Sequence, residues 1–352
     1  MNPEEKIDLI KSIGVEIIEE KELEELINSN KPIIAYDGFE PSGQMHIAQG
    51  ILRTINTNKL TKSGAKFKII IADWFAWANN KLGGDLEKIK LVGEYFIEVW
   101  KTTGMDLDNV EFIWASELIK DPKYWEIVMK VSTKNSLNRI IRCSQIMGRS
   151  DTDNLKASQI LYPCMQCADI FYLNANIVQL GLDQRKVNVL AREIGEEIGY
   201  YKPIIVSHPM LQGLQKPNNN LRGIEHEIAK KMSKSNPKSA IFMTDTKEEI
   251  EAKISEAYCP PQIEENPILE YIKLIVFPKI NCFSIQRPEK YGGDKNYFSY
   301  KELEEEYIAK KIHPLDLKKA LSKHLNEILK PTRKHFQENE KAKKLLEEIK
   351  KF

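Results

Sequence analysis

Tyr36-Asp-Gly-Phe-Glu-Pro-Ser-Gly-Gln-Met-His46-Ile-Ala-Gln49-Gly50 is the stretch that decides how the chain reads. An apolar run ends at Tyr36. A turn punctuated by Gly38, Pro41 and Gly43 follows, and the chain then takes up helical spacing behind His46. A strand end feeding a glycine-rich turn and a helix N-terminus is where α/β proteins bind nucleotides, because unpaired backbone N–H groups and the helix field favour anions there. The small residues Gly43 and Ala48 leave room for a base or phosphate against the backbone. His46, at the mouth of the helix, can donate to an anion or to charge developing on phosphate.

Outward from this stretch, apolar runs at 32–36, 67–72, 110–114, 177–180 and 204–206 read as strands. Helical spacing falls between them at 47–61, 85–102, 161–174 and 185–198. This alternation predicts a Rossmann-like α/β fold, a parallel sheet covered on both faces. Residues 3–29 read as one or two amphipathic helices. From 116 to 158 the pattern turns helical and mixed in polarity, with segments near 118 and at 128–147, and is expected to be a helical insertion. After Thr246 no strong strand signal remains, and helices are expected at 247–257, 267–276, 301–310, 314–329 and 331–351. The expected organisation is an α/β domain over 1–245 and an all-α domain over 246–352.

The 352 residues suit about two domains. Lys and Arg number 52 against 51 Asp and Glu, a net charge of +1. That excludes nucleic-acid binding by bulk charge, though not by local patches. No apolar run approaches the ~20 residues of a membrane span. The N-terminus shows neither an apolar signal region nor transit character. No membrane association and a cytoplasmic location are therefore expected. Five scattered cysteines do not form a disulfide scaffold. Cys164-Met-Gln-Cys167 lacks the second close pair of a zinc ribbon, so buried thiols and no protein-held metal are expected. The phosphate-binding pattern GxxxxGK[ST] is absent, which disfavours a P-loop nucleotidase.

Four further clusters carry chemistry. Lys231-Met232-Ser233-Lys234-Ser235 follows a Gly/Asn-rich loop, and two lysines three apart with two hydroxyls suit a clamp on polyphosphate. Tyr162, Gln166 and Asp169 stand at i, i+4 and i+7 among apolar neighbours, so a helix sets them on one face. A polar stripe on a buried helix must be satisfied by other side chains or by a ligand. Gly181-Leu-Asp183-Gln184 follows a short strand and opens a helix, where a carboxylate suits a ribose hydroxyl. His313-Pro-Leu-Asp316 reads first as helix N-terminal chemistry, and Asp73 likewise as a cap.

These motifs resemble those of class I aminoacyl-tRNA synthetases. His46-Ile-Ala-Gln49 stands at the HIGH signature, and residues 231–235 are a complete KMSKS. Within that class, residues 36–50, 162–169, 181–184 and 313–316 resemble the tyrosyl-tRNA synthetases of eukaryotes and archaea, and the likeness covers nearly the whole chain. Ala48 replaces the signature's glycine and Gln49 its final histidine, so a second imidazole is lost. The resemblance implies that Tyr36 and Asp169 bind a tyrosine hydroxyl, and that Tyr162, Gln166 and Gln184 hold its α-ammonium. It implies an ATP site at Gly38, His46, Gly181, Asp183, Met232, Ser233 and Lys234. Charge stabilisation is assigned to His46, Lys231 and Lys234, and reading of the first anticodon base to His313 and Asp316.

On the same basis the substrates are L-tyrosine, ATP with Mg2+ and tRNA(Tyr). The domain over 246–352 is expected to bind the anticodon, and the 116–158 insertion to form a homodimer. Two alternatives stand beside this reading. A tryptophanyl enzyme shares fold and reaction, but indole has no hydroxyl to match Tyr36 and Asp169. A non-catalytic synthetase-like RNA-binding protein would be expected to have lost His46 and KMSKS.

Overall fold

The computed structural model describes residues 1–29, 31–147, 154–216, 232 and 237–352. Six strands form one sheet: β1 (Glu16–Ile18), β2 (Ile34–Phe39), β3 (Lys66–Ile71), β4 (Val110–Trp114), β5 (Ile177–Val178) and β6 (Ile204–Ser207). Their order is β1-β6-β5-β2-β3-β4. All pairings are parallel except β1 with β6. The chain runs from β2 through β3 to β4 on one side, then crosses to lay β5 and β6 on the other. Connections therefore diverge between β2 and β5, and at such a switch point a crevice opens beyond the strands' C-terminal ends.

Alternation along the strands sorts side chains between two apolar layers. Ala35, Ile69 and Ile177 join the layer that contains Leu60 and Val99, and this layer continues to Leu321 and Leu325. Tyr36, Ile70 and Val178 join the opposite layer, with Val128, Cys167 and Ala191. Helices Arg53–Lys62 and Leu86–Trp100 thus cover one face, and Pro122–Thr133, Ala157–Tyr172 and Arg185–Ile194 the other.

The structure corrects several boundaries. Residues 3–29 are not purely helical: Pro3–Lys11 and Glu20–Asn28 flank β1, which pairs Glu16 with Ser207. Three residues carry no readable period, and the partner is far along the chain. The 128–147 segment is broken where Ser136 caps a new helix, Leu137–Cys143, by accepting from the Arg139 N–H (3.3 Å). The 161–174 helix begins at Ala157 and runs through Pro163. A π-turn, Ala48–Leu52, precedes helix Arg53–Lys62. A Cβ at Gly50 would sit 2.3 Å from Met243 Sδ, so only glycine permits this approach.

Beyond Thr246 the chain is helical with one addition, an antiparallel ribbon of β7 (Phe283–Ile285) and β8 (Lys295–Tyr297). Two helices expected to part at Pro331 are instead one, Pro314–Glu338. The break falls at Asn339, whose side chain accepts from the Ala342 N–H (3.0 Å) to cap Glu340–Ile349. Thr246 and Glu249 form a capping box at the start of helix Lys247–Glu256. Packing is continuous across that point, with the Phe336 ring 5.4 Å from Tyr95.

Candidate active site

The divergence of β2 and β5 opens a cavity of about 590 Å³. Tyr36, Gly38, His46, Tyr162, Gln166, Asp169, Gly181, Asp183, Gln184 and Met232 all line it, so residues up to 196 positions apart share one wall. Lys231, Ser233 and Lys234 lie outside the described residues. His313 and Asp316 lie elsewhere. His313 Nδ1 accepts from the Leu315 N–H (3.2 Å) as N-cap of Pro314–Glu338, and Asp316 sits in that helix's first turn.

One end of the cavity is closed by a carboxylate that holds two phenols. Asp169 Oδ2 accepts from the Tyr36 hydroxyl (3.2 Å) and Oδ1 from the Tyr124 hydroxyl (2.7 Å). All three residues are buried. Burial pushes the Asp169 carboxyl well above its usual range, against the pull of the Tyr124 and Tyr36 hydrogen bonds. Ile70 and Phe75 supply apolar walls. Further out, the Tyr162 hydroxyl donates to Glu40 Oε1 (2.7 Å). Gln166 Nε2 donates to Gln184 Oε1 (3.1 Å), and Gln184 Nε2 to the Ile146 carbonyl (3.2 Å). The polar stripe on helix Ala157–Tyr172 is therefore satisfied by side chains that face one space. That space suits an aromatic ring with a hydroxyl at its far end and a cation beside Glu40.

Pleating turns Asp37 to the other face of β2. There it pairs with buried Arg53 (Oδ2–Nη2 3.1 Å) and accepts from the Gly38 N–H (2.7 Å). Arg53 also donates to the Gln179 carbonyl (3.3 Å) and side-chain amide oxygen, and faces His208 Nδ1 (3.0 Å). Burial outweighs Arg53 and the Gly38 N–H, and the Asp37 carboxyl is pushed up to about 7.

Arg53→Met should therefore destabilise the fold in a pH-dependent way. Loss of the guanidinium raises the folded carboxyl further, while the unfolded value stays near 3.8. From there up to and past pH 7 the folded state binds more protons than the unfolded, so stability falls as pH rises. The expected loss is about 3–5 kcal/mol at pH 8 and smaller at pH 5, where Asp37 is neutral. Urea melts at the two pH values check this, and equal losses would contradict it.

His46 is tied to the segment after KMSKS. Ile47 N–H donates to the Ile241 carbonyl (2.8 Å), and Met243 N–H to that of Met45 (2.9 Å). His46 Nδ1 accepts from the Gln49 N–H (3.4 Å), which leaves the ring proton on Nε2. The Gln49 carbonyl accepts from Trp100 Nε1 (2.9 Å). Its side-chain oxygen is buried without a partner in a residue that lines the cavity. A Cβ at Gly181 would lie 2.6 Å from Asp183 Oδ1 and 2.8 Å from Met210 Sδ, so the close approach there requires glycine.

Asp73 is not the cap the sequence suggested but the first residue of helix Asp73–Ala78, whose N-cap is Ala72, and it accepts from the Trp74 N–H (3.0 Å) and the Ser116 N–H (2.9 Å). Cys164 and Cys167 are buried, and burial pushes the Cys164 thiol up to about 11. Sequence reasoning missed Asp37, Glu40, Arg53, Tyr124 and His208. Asp37 and Glu40 lay inside the opening stretch as charges beside a buried strand, which was the available signal. Tyr124 carried none.

The family described as tRNA synthetases class I (W and Y) matches residues 28–330. Tyrosine–tRNA ligase 1, cytoplasmic, of Arabidopsis thaliana is 54% identical over 353 residues, covering 99% of this chain and 89% of the relative. The Leishmania major tyrosyl-tRNA synthetase solved with tyrosinol superposes with a TM-score of 0.91 at 44% identity, over 100% of this chain and 61% of that one. The Pyrococcus horikoshii enzyme complexed with L-tyrosine gives 0.92 at 35% identity, over 99% of this chain and 100% of that one. With its Rossmann-like sheet and the phenol-binding carboxylate at the switch point, the chain belongs to the class I tRNA synthetases as one of their tyrosine–tRNA ligases.

Proposed function

We propose that the chain joins L-tyrosine to tRNA(Tyr) in two steps within this cavity. The tyrosine carboxylate attacks the α-phosphorus of ATP, the bond to the β-phosphate oxygen breaks, and pyrophosphate leaves. A terminal ribose hydroxyl of the tRNA then attacks the adenylate's carbonyl carbon and AMP departs. The observation that carries this reading is the Tyr36–Asp169–Tyr124 cluster at the closed end of a cavity that also reaches His46 and Asp183. No side chain need act as nucleophile. Positioning and charge stabilisation by His46, Lys231 and Lys234 supply the rate.

The substrate hydroxyl is held by Tyr36 and Asp169. Its ammonium is held by Tyr162, Gln166 and Gln184, with the Glu40 carboxylate as the added counter-charge. ATP occupies the space along Gly38, His46, Gly181, Asp183 and Met232, and Ser233 and Lys234 also bind it. Mg2+ arrives with the triphosphate as part of the substrate. Residues 1–245 form the catalytic domain, with the connective insertion at 116–158, and 246–352 the anticodon-binding domain. His313 is exposed and Asp316 half-buried at a helix start, which leaves edges for a base. A cytoplasmic location agrees with the name of the Arabidopsis relative. Among the described residues no helix is long and apolar enough to cross a membrane.

Met129 and Leu137, exposed on the inserted helices, support a homodimer through that segment. Sedimentation equilibrium should return twice the 40.7 kDa chain mass. A monomer mass at every concentration would contradict it. The function is tested by tyrosine charging of tRNA(Tyr), with tRNA(Trp) and tryptophan in parallel. Charging of the tyrosine pair alone is expected.

A further inference from the structure

His208 is held beside Gly181 by two backbone hydrogen bonds. Leu182 N–H donates to the His208 carbonyl (3.0 Å), and His208 N–H donates to the Leu180 carbonyl (3.0 Å). The imidazole is fixed from behind. Its Nδ1 lies 3.0 Å from Arg53 Nη2 and 2.9 Å from Gln179 Nε2. A guanidinium has no acceptor, so Nδ1 accepts and the ring proton sits on Nε2. Burial and the Arg53 charge hold the imidazole well below its usual range, against a backbone hydrogen bond at Leu180, which keeps the ring neutral.

Nε2 faces the cavity that His208 lines. It is 3.6 Å from the point where a Cβ on Gly181 would stand, and Asp183 Oδ1 is 2.6 Å from the same point. An N–H donor and a carboxylate thus converge on one small space. A hydroxyl is the group that uses both, since it donates its proton and accepts another. Asp183 can supply only the acceptor.

We propose that His208 is a nucleotide-binding residue, whose Nε2–H donates to the ribose hydroxyl that in turn donates to Asp183. Arg53 and Gln179 are its positioning residues. This rests on reading the cavity as an ATP site. It assigns the discrimination between ribo- and deoxyribonucleotides to a histidine set by a network from the opposite face of the sheet.

The test is tyrosine-dependent pyrophosphate exchange with ATP, 2′-deoxyATP and 3′-deoxyATP, on the wild type and on His208→Asn. Asparagine can set its Oδ1 near the Nδ1 position and keep accepting from Arg53 and Gln179, but it lacks the outward donor. Loss of one such hydrogen bond is worth about tenfold. His208→Asn should raise KM for ATP by about tenfold and leave KM for tyrosine unchanged. The penalty for one of the two deoxynucleotides should shrink by the same factor, because variant and analogue remove the same contact. Equal losses with all three nucleotides, or no change in KM for ATP, would overturn the assignment while the wild type still exchanges. A wild type that exchanges with no nucleotide would overturn the ATP reading, and the assignment with it.

Discussion

Replacing Asp169 with alanine should raise KM for tyrosine by about 100-fold or more and cut the preference for tyrosine over phenylalanine to about tenfold. Asp169 accepts from both the Tyr36 and Tyr124 hydroxyls, and the Tyr124 hydroxyl also reaches the Met165 carbonyl (3.1 Å). A ligand phenol placed between them depends on the same carboxylate. Sites built to hydrogen-bond a hydroxyl reject the analogue lacking it by about 10⁴–10⁵-fold, because buried polar groups are left unpaired. Tyrosyl-tRNA synthetases are themselves the reference case for that figure, which is not obtained from this cavity. Without Asp169 the penalty on phenylalanine keeps only the Tyr36 hydroxyl as its source. Tyr36→Phe, which leaves Asp169 and Tyr124 in place, should cost only about tenfold in kcat/KM. Exchange kinetics with both amino acids measure each effect. Undiminished discrimination in Asp169→Ala would contradict the role given to the carboxylate.

Lys234→Ala should leave tyrosine binding unchanged and slow adenylate formation by about 10²–10³-fold. Charge develops on the phosphate oxygens as the α-phosphorus transfers, and preorganised cations there act on the transition state more than on the bound amino acid. The proposed role rests on described residues to either side of the lysine. Met232 lines the cavity and is 5% exposed. Residues 241 and 243, a few positions on, are stapled by backbone bonds to 45 and 47 around His46. Single-turnover formation of adenylate, set beside equilibrium binding of tyrosine, separates the two quantities. A near-normal rate would remove Lys234 from the charge-stabilising set.

The parts of this fold that could be read ahead were those with a local period. β2, β3 and β4 are apolar runs bounded by breakers, and Tyr162, Gln166 and Asp169 repeat at helical spacing. What could not be read depended on distant partners. β1 exists because Glu16–Ile18 can pair with β6, some 190 residues later. The β7–β8 ribbon is two three-residue strands with a long connection, too short to show alternation. Within the site, the polar stripe was legible because a polar residue on an apolar helix face must have a partner. Arg53 and His208 were not, because their meaning lies in a buried network assembled from β2, the segments after β5 and β6, and one helix. Tyr124 comes from the inserted region, and only the packing of helix Pro122–Thr133 on helix Ala157–Tyr172 brings its hydroxyl to Asp169.

The opening stretch carries two roles on adjacent residues. Tyr36 turns to the face where Asp169 waits, and Asp37 turns to the face where Arg53 anchors the loop. In the proposed reading, amino-acid choice and nucleotide binding both depend on one strand end. The most direct test is ATP–pyrophosphate exchange driven by tyrosine, phenylalanine and tryptophan side by side. Exchange with tyrosine alone is expected, with KM for tyrosine about 100-fold higher in Asp169→Ala. Exchange driven equally by tryptophan, or none with any of the three, would contradict it.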